Sequence, residues 1–519
     1  MKQAKRRTKG IAKPKAKGPS RFRLLTALGG LLLLVLLLAG RGLPFFSPAA
    51  VITVEGAVWT GDKSDNWFDK NNWKPKKVPD YDSIVTIRGK KTMPVLTSDI
   101  NVANLSILTG AVLDLNGRSL TVRGSFFNEG TVRLQCREAV NAGSWQSGGA
   151  WEFSGVPGAL LPICLVPERI PYHRLLLTRT KNNPTATYAL SAHLAVEDRV
   201  TVRNTTLDLA GFDLRSRSIL NEKTVLMQGS ENVYVDELSA DAGGSYGTWV
   251  LAGKKNGKAD MFVLRTRRFG DLQFRPQEGG DTFVVGQGTT VAGTLTVQTG
   301  AVLLQYPAIL TAGNVEIRGG AFMANGFLTV LRDTVLKKGL LFLAAGGTKS
   351  FTNLTVDGGT VRAEGNGNSL RVNGTLDIMT GSFIAPMNLV LGGSIRKHPK
   401  AVFDARMGTV TMDGTGQSIV GKIDFYHLNK IVSKNDTLRV GSGSIVSVRG
   451  TLTLRGMGKA ILSLRSTDPG IPWGLDVRGR QSLERLDVQD GVGMGPTKLQ
   501  CLVACHDSGR TFQWVFGGR

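Results

Sequence analysis

Three tryptophans near the start of the chain's main body carry the side chains that most readily suggest a ligand. Trp59, Trp67 and Trp73 fall within fifteen residues. Because an indole combines a large apolar face with a single N–H donor, the cluster could stack on pyranose rings. The alternative is a hydrophobic plug, since the open end of a repetitive β-fold exposes core side chains and strand edges. The pattern favours the plug and leaves weak ligand binding as the alternative.

The four cysteines are the next candidates for chemistry. An even count in an exported chain allows disulfides, with three possible connectivities. Cys136 and Cys164 are 28 residues apart, about one long coil, so stacking could bring them together. Cys501 and Cys505 could pair only across a tight turn. Isolated buried thiols are the alternative for all four, and the CxxxC spacing alone is a weak metal signal.

Histidines and carboxylates give no catalytic pattern. His173 and His427 each follow a tyrosine in similar contexts, which predicts a structural position in a repeat. The chain has no HxH or HExxH spacing that would indicate zinc. Polysaccharide lyases and hydrolases need clustered Asp or Glu, whereas the acids here are few and scattered. We therefore expect no catalytic residue, metal or cofactor, and do not expect an enzyme.

The first fifty residues predict export. Residues 1–50 hold eleven Lys or Arg and no acid, and Leu24–Gly40 is an uncharged run of 17 residues. A basic tail before such a run predicts one hydrophobic helix that is either a cleaved signal peptide or an uncleaved anchor. The positive charge keeps the N-terminus in the cytoplasm and places the body in the cell envelope, at the cell surface or outside the cell.

The remaining net charge of the chain is spread thinly. The formal charge of the whole chain is +24, of which residues 1–50 supply eleven. A dispersed excess of this kind mainly favours solubility, although it also attracts anionic polymers. There is no nucleic-acid motif and no dense basic cluster with interleaved aromatics, so nucleic acid is not an expected partner.

The elements that must position these residues are short strands between glycine turns. The pattern LDLxGxxL occurs at Leu113–Leu120 and again at Leu207–Leu214. An aromatic residue also precedes each Gly-Thr-Leu strand at a near-constant offset, as for Phe269 with Gly293 and Phe351 with Gly374. Such repetition predicts an all-β, parallel β-solenoid, right-handed and β-helix-like. Tandem β-sandwich domains are the alternative, although no Pro/Ser-rich linker follows residue 50.

Both ends of the body resemble one protein class. The first motif, WTG…DNW…NW…VP, runs from Trp59 to Pro79, and the second includes LRS at Leu464–Ser466, Trp473, DSG at Asp507–Gly509 and WVF at Trp514–Phe516. This pairing resembles bacterial cell-surface, adhesin-like β-helical repeat proteins. Taken with the export segment and the repeats, the resemblance divides the chain into a basic cytoplasmic tail with signal or anchor at 1–50, a Trp-rich cap at 51–100, solenoid repeats at 101–455 and a closing module at 456–519.

The expected function follows from this organisation. We expect an exported structural or adhesive protein of the cell envelope without enzymatic activity. The alternative is a carbohydrate-binding or polysaccharide-processing β-helix protein. The expected partners are envelope or extracellular glycans, and the membrane through Leu24–Gly40.

Overall fold

The computed structural model describes residues 56–155, 164–179, 187–229, 231–235, 247–254, 259–264, 267–277, 280–364 and 369–517. The predicted hydrophobic helix and the export segment at 1–50 lie outside the described residues. Within the described ranges, no helix is long and apolar enough to cross a membrane.

The chain is all-β and forms a parallel β-solenoid of about 19 turns, with about 1% helix. Its helical element is the 3-10 turn Lys70–Asn72. Among the described strands, the pair β1 (Ala57–Trp59) and β2 (Trp73–Lys74) is antiparallel, and the other strand pairs are parallel. A β-sandwich is built from antiparallel sheets, so this pairing decides against the tandem-sandwich alternative.

Fifty strands build the coils in the described part of the chain. Strands β3 to β10 are, in order, Ile84–Ile87, Ile100–Val102, Asn104–Ile107, Val112–Asp114, Leu120–Asn128, Thr131–Leu134, Val140–Ser147 and Ala150–Phe153. Strands β11 to β20 are Cys164–Val166, Tyr172–Leu177, Thr187–Leu190, Leu194–Val202, Thr206–Asp208, Leu214–Asn221, Thr224–Met227, Val233–Val235, Thr248–Leu251 and Met261–Val263.

Strands β21 to β35 are Arg268–Phe269, Asp271–Phe274, Thr282–Val285, Thr289–Val297, Ala301–Leu304, Ile309–Ile317, Ala321–Ala324, Phe327–Leu336, Leu340–Leu343, Lys349–Ala363, Ser369–Val372, Leu376–Ile384, Asn388–Leu391, Ile395–Lys397 and Val402–Asp404. Strands β36 to β50 are Thr409–Met412, Ser418–Val420, Lys422–Phe425, His427–Val432, Asp436–Val440, Ile445–Val448, Thr451–Gly456, Leu462–Ser466, Trp473–Val477, Arg480–Glu484, Leu486–Val488, Gly491–Gly493, Leu499–Val503, His506–Asp507 and Trp514–Phe516.

Ladders of inward side chains form the core. Val85, Leu105, Phe126 and Trp145 are register partners in four successive coils, so one turn takes about 20 residues. Alternate residues of a strand face opposite sides. The inward Leu295 and Leu376 are therefore fully buried, and their neighbours are partly exposed.

The position of Leu452 differs from the expectation that it is equivalent to Leu295 and Leu376. Leu295 and Leu376 share one ladder, through Val315, Thr334 and Leu354. Leu452 instead pairs with Leu428, in a second ladder that includes Leu370. All three leucines are buried, so the inward assignment holds for each. Coils of unequal length displace the Gly-Thr-Leu sequence from one face to another.

A side chain from one coil caps the start of each Gly-Thr-Leu strand in the next. Asp271 Oδ1 accepts the Thr294 N–H at 2.7 Å, and Asn353 Oδ1 accepts the Thr375 N–H at 2.9 Å. Each capping residue lies two positions after the aromatic of the sequence pattern. Because this hydrogen bond joins one coil to the next, the near-constant offset between the aromatic and the glycine reflects the length of a coil.

The two LDLxGxxL copies form the same corner. Asp114 Oδ1 accepts the Asn116 N–H at 2.9 Å, and Asp208 Oδ1 accepts the Ala210 N–H at the same distance. In both copies the following glycine N–H donates to a glutamate of the next coil, Glu138 or Glu231. Despite this likeness, Leu113 and Leu207 belong to different ladders.

Between Leu113 and Leu207, one of the sheets of the solenoid ends and another begins. Among the described strands, β9 pairs only with β7, and β11 pairs only with β13. On an adjacent face, β10 pairs with β12 and carries the solenoid across the break. We call the interruption between β9 and β11 the seam.

Candidate functional site

The three tryptophans pack together at the N-terminal end of the solenoid. The Trp59 and Trp73 rings meet edge to face with centroids 5.0 Å apart, and those of Trp67 and Trp73 at 4.7 Å. Trp59 and Trp67 are 0% exposed and Trp73 is 2% exposed. Sugar stacking requires an open indole face, and this packing leaves none. The burial favours the hydrophobic plug over the ligand platform.

Asn72 is the polar centre of this cap, and the sequence reasoning gave it no role. Its Oδ1 accepts the Lys63 and Ser64 N–H groups at 2.8 and 2.9 Å. Its Nδ2 donates to Ser64 Oγ and to the Asn66 carbonyl. A fully buried amide needs such partners. The residue stands beside Trp73 in the NW part of the motif, which is the signal that could have identified it.

The indole N–H groups also hold the cap together. Trp59 Nε1 donates to the Thr92 carbonyl at 2.9 Å, and Trp73 Nε1 donates to the Trp67 carbonyl at 2.7 Å. Among the described residues, Trp67 Nε1 has no partner. The antiparallel strand β2 covers the outer edge of β1. The cap therefore closes both the core and the sheet edge.

The four cysteines form two disulfides. Cys136 and Cys164 are bonded across the seam, with their Cα atoms 5.6 Å apart, and Cys501 is bonded to Cys505. The first bond joins the two coils between which the ladder of one face is interrupted. It therefore supplies a covalent link where the described strands of that face, β9 and β11, do not pair with each other.

Several histidines take part in contacts between coils. His427 Nδ1 accepts the Thr451 N–H at 2.9 Å, the position that Asn353 occupies in another coil. His193 Nδ1 accepts the Asp213 N–H at 2.9 Å, and His173 Nδ1 lies 3.0 Å from Glu197. These side chains connect the corners of neighbouring coils.

A serine, a histidine and an aspartate meet near the C-terminal end. Ser508 Oγ donates to Asp487 Oδ1 at 2.6 Å, and His506 Nδ1 lies 3.3 Å from both Asp487 Oδ1 and Ser508 Oγ. A catalytic triad needs the aspartate and the serine on opposite ring nitrogens. Here both contact Nδ1, so the histidine cannot relay a proton between them.

Asp487 acts instead as a junction between coils. Partial burial alone would raise its pKa, but hydrogen bonds from Ser508 and Arg465 hold the pKa of this carboxyl below its usual value. At the other end of the chain, Lys77 and Ser83 donate hydrogen bonds that lower the pKa of Asp80 to about 2. Both carboxylates are therefore ionised acceptors at neutral pH.

In the described part of the chain, no group of His, Cys, Asp and Glu could hold a metal ion.

Comparison with known proteins gives one match, which covers the tryptophan cluster and the strands that follow it. A family model described as a domain of unknown function, DUF8693, matches residues 58–142, which are 85 of the 519 residues. The match runs from the cap tryptophans to the start of β9. No curated protein and no solved structure matches the chain.

Proposed function

We propose that this chain is an exported, non-enzymatic protein of the cell envelope, with a β-solenoid that serves as its structural or adhesive body. The division proposed is an export segment at 1–50, a cap at 51–100, repeats at 101–455 and a closing module at 456–519. The likeness of both end motifs to adhesin-like β-helical surface proteins supports the same proposal.

The observation that carries the proposal is the use made of the polar side chains. Those with the types expected in a reactive site, such as His427, Asp271 and Asp487, are engaged in hydrogen bonds between coils. A body built in this way is suited to a mechanical or display role. The two disulfides favour an oxidising compartment, because such bonds persist mainly outside the cytosol.

Export can be tested with alkaline phosphatase, which is active only outside the cytoplasm, fused to the chain after Ala50. We expect active fusions, and loss of activity when Leu33→Arg and Leu36→Arg together interrupt the apolar run. The matched control, Leu33→Ile with Leu36→Val, should keep the activity. An inactive, soluble fusion of the unaltered segment would contradict export.

The adhesive part of the proposal needs a separate test. The full chain should be applied to a glycan array beside the His427→Asn variant. That variant keeps the corner hydrogen bond, so it should give the same binding pattern if His427 has only a structural role. Cleavage of any arrayed polysaccharide would contradict the non-enzymatic assignment and support the carbohydrate-processing alternative.

A further inference from the structure

One lateral face of the solenoid carries apolar side chains on its outer side. Strands β20, β23, β25, β27 and β29 stack there in register. Their central inward residues are buried, and they are Phe262, Phe283, Val302, Phe322 and Leu341. The residues on either side of each central residue must therefore face outward.

The outward residues form two columns without a single charge. The second column has the larger side chains, and its members are Val263, Val284, Leu303, Met323 and Phe342. The first column consists of Met261, Thr282, Ala301, Ala321 and Leu340. We call these ten positions the apolar face. On a neighbouring face, the outward residues at the same level include Thr296 and Glu316.

Solvent reaches most of this face. Met261 is 70% exposed and Val263 is 50% exposed, while Leu303, Met323 and Phe342 are partly exposed; Val284, between Val263 and Leu303 in the second column, is only 5% exposed. Soluble proteins seldom leave a contiguous apolar patch open without a use for it. The second column then continues to Arg362, which pairs with Glu364, so charge limits the face at this end.

The apolar surface extends around the adjacent corner. Tyr306 stacks on Phe327 with ring centroids 5.9 Å apart, and Tyr306 is 58% exposed. Ile309, a register partner of Phe327, is 54% exposed. The corner follows directly after β25, so it adds a second apolar strip beside the middle of the face.

The chemistry of the face limits the kind of partner. A glycan needs hydrogen-bonding groups and an anionic polymer needs cations, and the ten positions offer only the Thr282 hydroxyl. Five coils about 4.8 Å apart and strands of about 13 Å give a projected area of about 300 Å². Two copies packed through this face would bury about 600 Å² in total, to which the corner adds, so the contact is smaller than a standard specific interface.

We propose that the apolar face is a self-association surface, on which a second copy of the chain packs its own apolar face to form a weak two-fold dimer. A second copy presents an equally flat and uncharged sheet, and two sheets pack face to face about 10 Å apart. The small area fits a transient dimer rather than an obligate one. In a two-fold interface, residues near the axis meet their own copies.

Cross-linking of the full chain tests this proposal. Ala301 lies on the middle strand of the face, so Ala301→Cys should give a covalent dimer with a short thiol cross-linker. Thr296→Cys, which faces outward on a neighbouring face, should not. Adding Met323→Glu to Ala301→Cys should reduce the dimer yield at least about tenfold, because like charges would meet across the interface.

The variants share one N-terminal segment, so association through that segment would affect them equally. Circular dichroism should show that Met323→Glu remains folded, and Phe342→Ser provides a second outward variant if it does not. Equal cross-linking at positions 296 and 301 would overturn the proposal, as would a yield unaffected by Met323→Glu. Recruitment of the face to phosphatidylcholine vesicles without a dimer would also overturn it.

Discussion

Replacing Gly374 with alanine should destabilise the solenoid, although the same change at an unhindered glycine normally stabilises a protein. A Cβ atom at Gly374 would lie 2.2 Å from Asn353 Oδ1 and 3.0 Å from the Thr352 carbonyl oxygen. Asn353 Oδ1 accepts the Thr375 N–H at 2.9 Å. The new methyl group must therefore displace the amide that caps the strand.

The magnitude follows from these contacts. Loss of the capping hydrogen bond should cost about 0.5–1.5 kcal/mol. Crowding against the Thr352 carbonyl adds strain, so the total should be about 1–3 kcal/mol. The matched control is Gly288→Ala, because a Cβ there meets nothing within 4 Å. Gly288→Ala should stabilise the chain by about 0.4–1 kcal/mol through the lower entropy of the unfolded state.

Urea unfolding combined with native-state hydrogen exchange provides the assay. Because each coil contacts mainly its neighbours, the loss of protection should be concentrated in the strands around residue 374. Asn353→Ala removes the nearest obstruction, so Gly374→Ala should cost less in that background than alone. If Gly374→Ala and Gly288→Ala had the same effect, the capping explanation would be wrong.

Three further predictions concern the core, the seam and a buried lysine. Leu376→Ala should lower the free energy of unfolding by about 2–5 kcal/mol, because it opens a cavity, whereas Asp377→Ala should lower it by about 1 kcal/mol or less. Equal losses in urea unfolding would contradict the inward and outward assignment of these two residues. Cys136→Ser should lower the free energy of unfolding by about 3.5 kcal/mol, from the entropy of closing a 28-residue loop. A reducing agent should lower the wild type at least as far, because it also opens the Cys501–Cys505 bond. Burial lowers the Lys349 pKa to about 8. Between pH 8 and the ordinary lysine pKa, the unfolded chain therefore binds more protons than the folded chain, and stability rises with pH. Lys349→Leu should abolish that rise, as measured by thermal unfolding.

The strand and turn pattern was sufficient to predict the solenoid, because the inward positions repeat as leucine and valine. The near-constant offset between Phe351 and Gly374 was also visible in the sequence. Its cause was not, since the cap from Asn353 to Thr375 joins residues of different coils. Ladder membership was predicted less well. Leu452 lies in a different ladder from Leu376 because that assignment depends on the summed lengths of all the corners between them.

The candidate site illustrates a second limit. A plug and a ligand platform call for the same tryptophans, so only the packing of Trp67 against Trp73 could separate them. The apolar face was missed for a related reason. Runs such as Leu340–Leu343 are apolar at every position, so they lack the period-two alternation that distinguishes an inward side from an outward side.

The parallel register of adjacent coils can be measured directly with engineered disulfides. Thr355 and Asp377 are register partners on the outward side, although 22 residues separate them in the sequence. Neighbouring strands are about 4.8 Å apart, within the Cα range that a disulfide accepts. Oxidation of the Thr355→Cys, Asp377→Cys variant should therefore form a disulfide, in addition to the two native ones.

The matched control moves the second cysteine from position 377 to position 396, one coil further from Thr355. Arg396 pairs with Asp377 and not with Thr355, so the Thr355→Cys, Arg396→Cys variant spans two coils and should remain reduced. Peptide mapping after oxidation reads both results. A disulfide in the first variant alone is what the parallel solenoid predicts. Free thiols in the first variant, or a disulfide in the second, would contradict it.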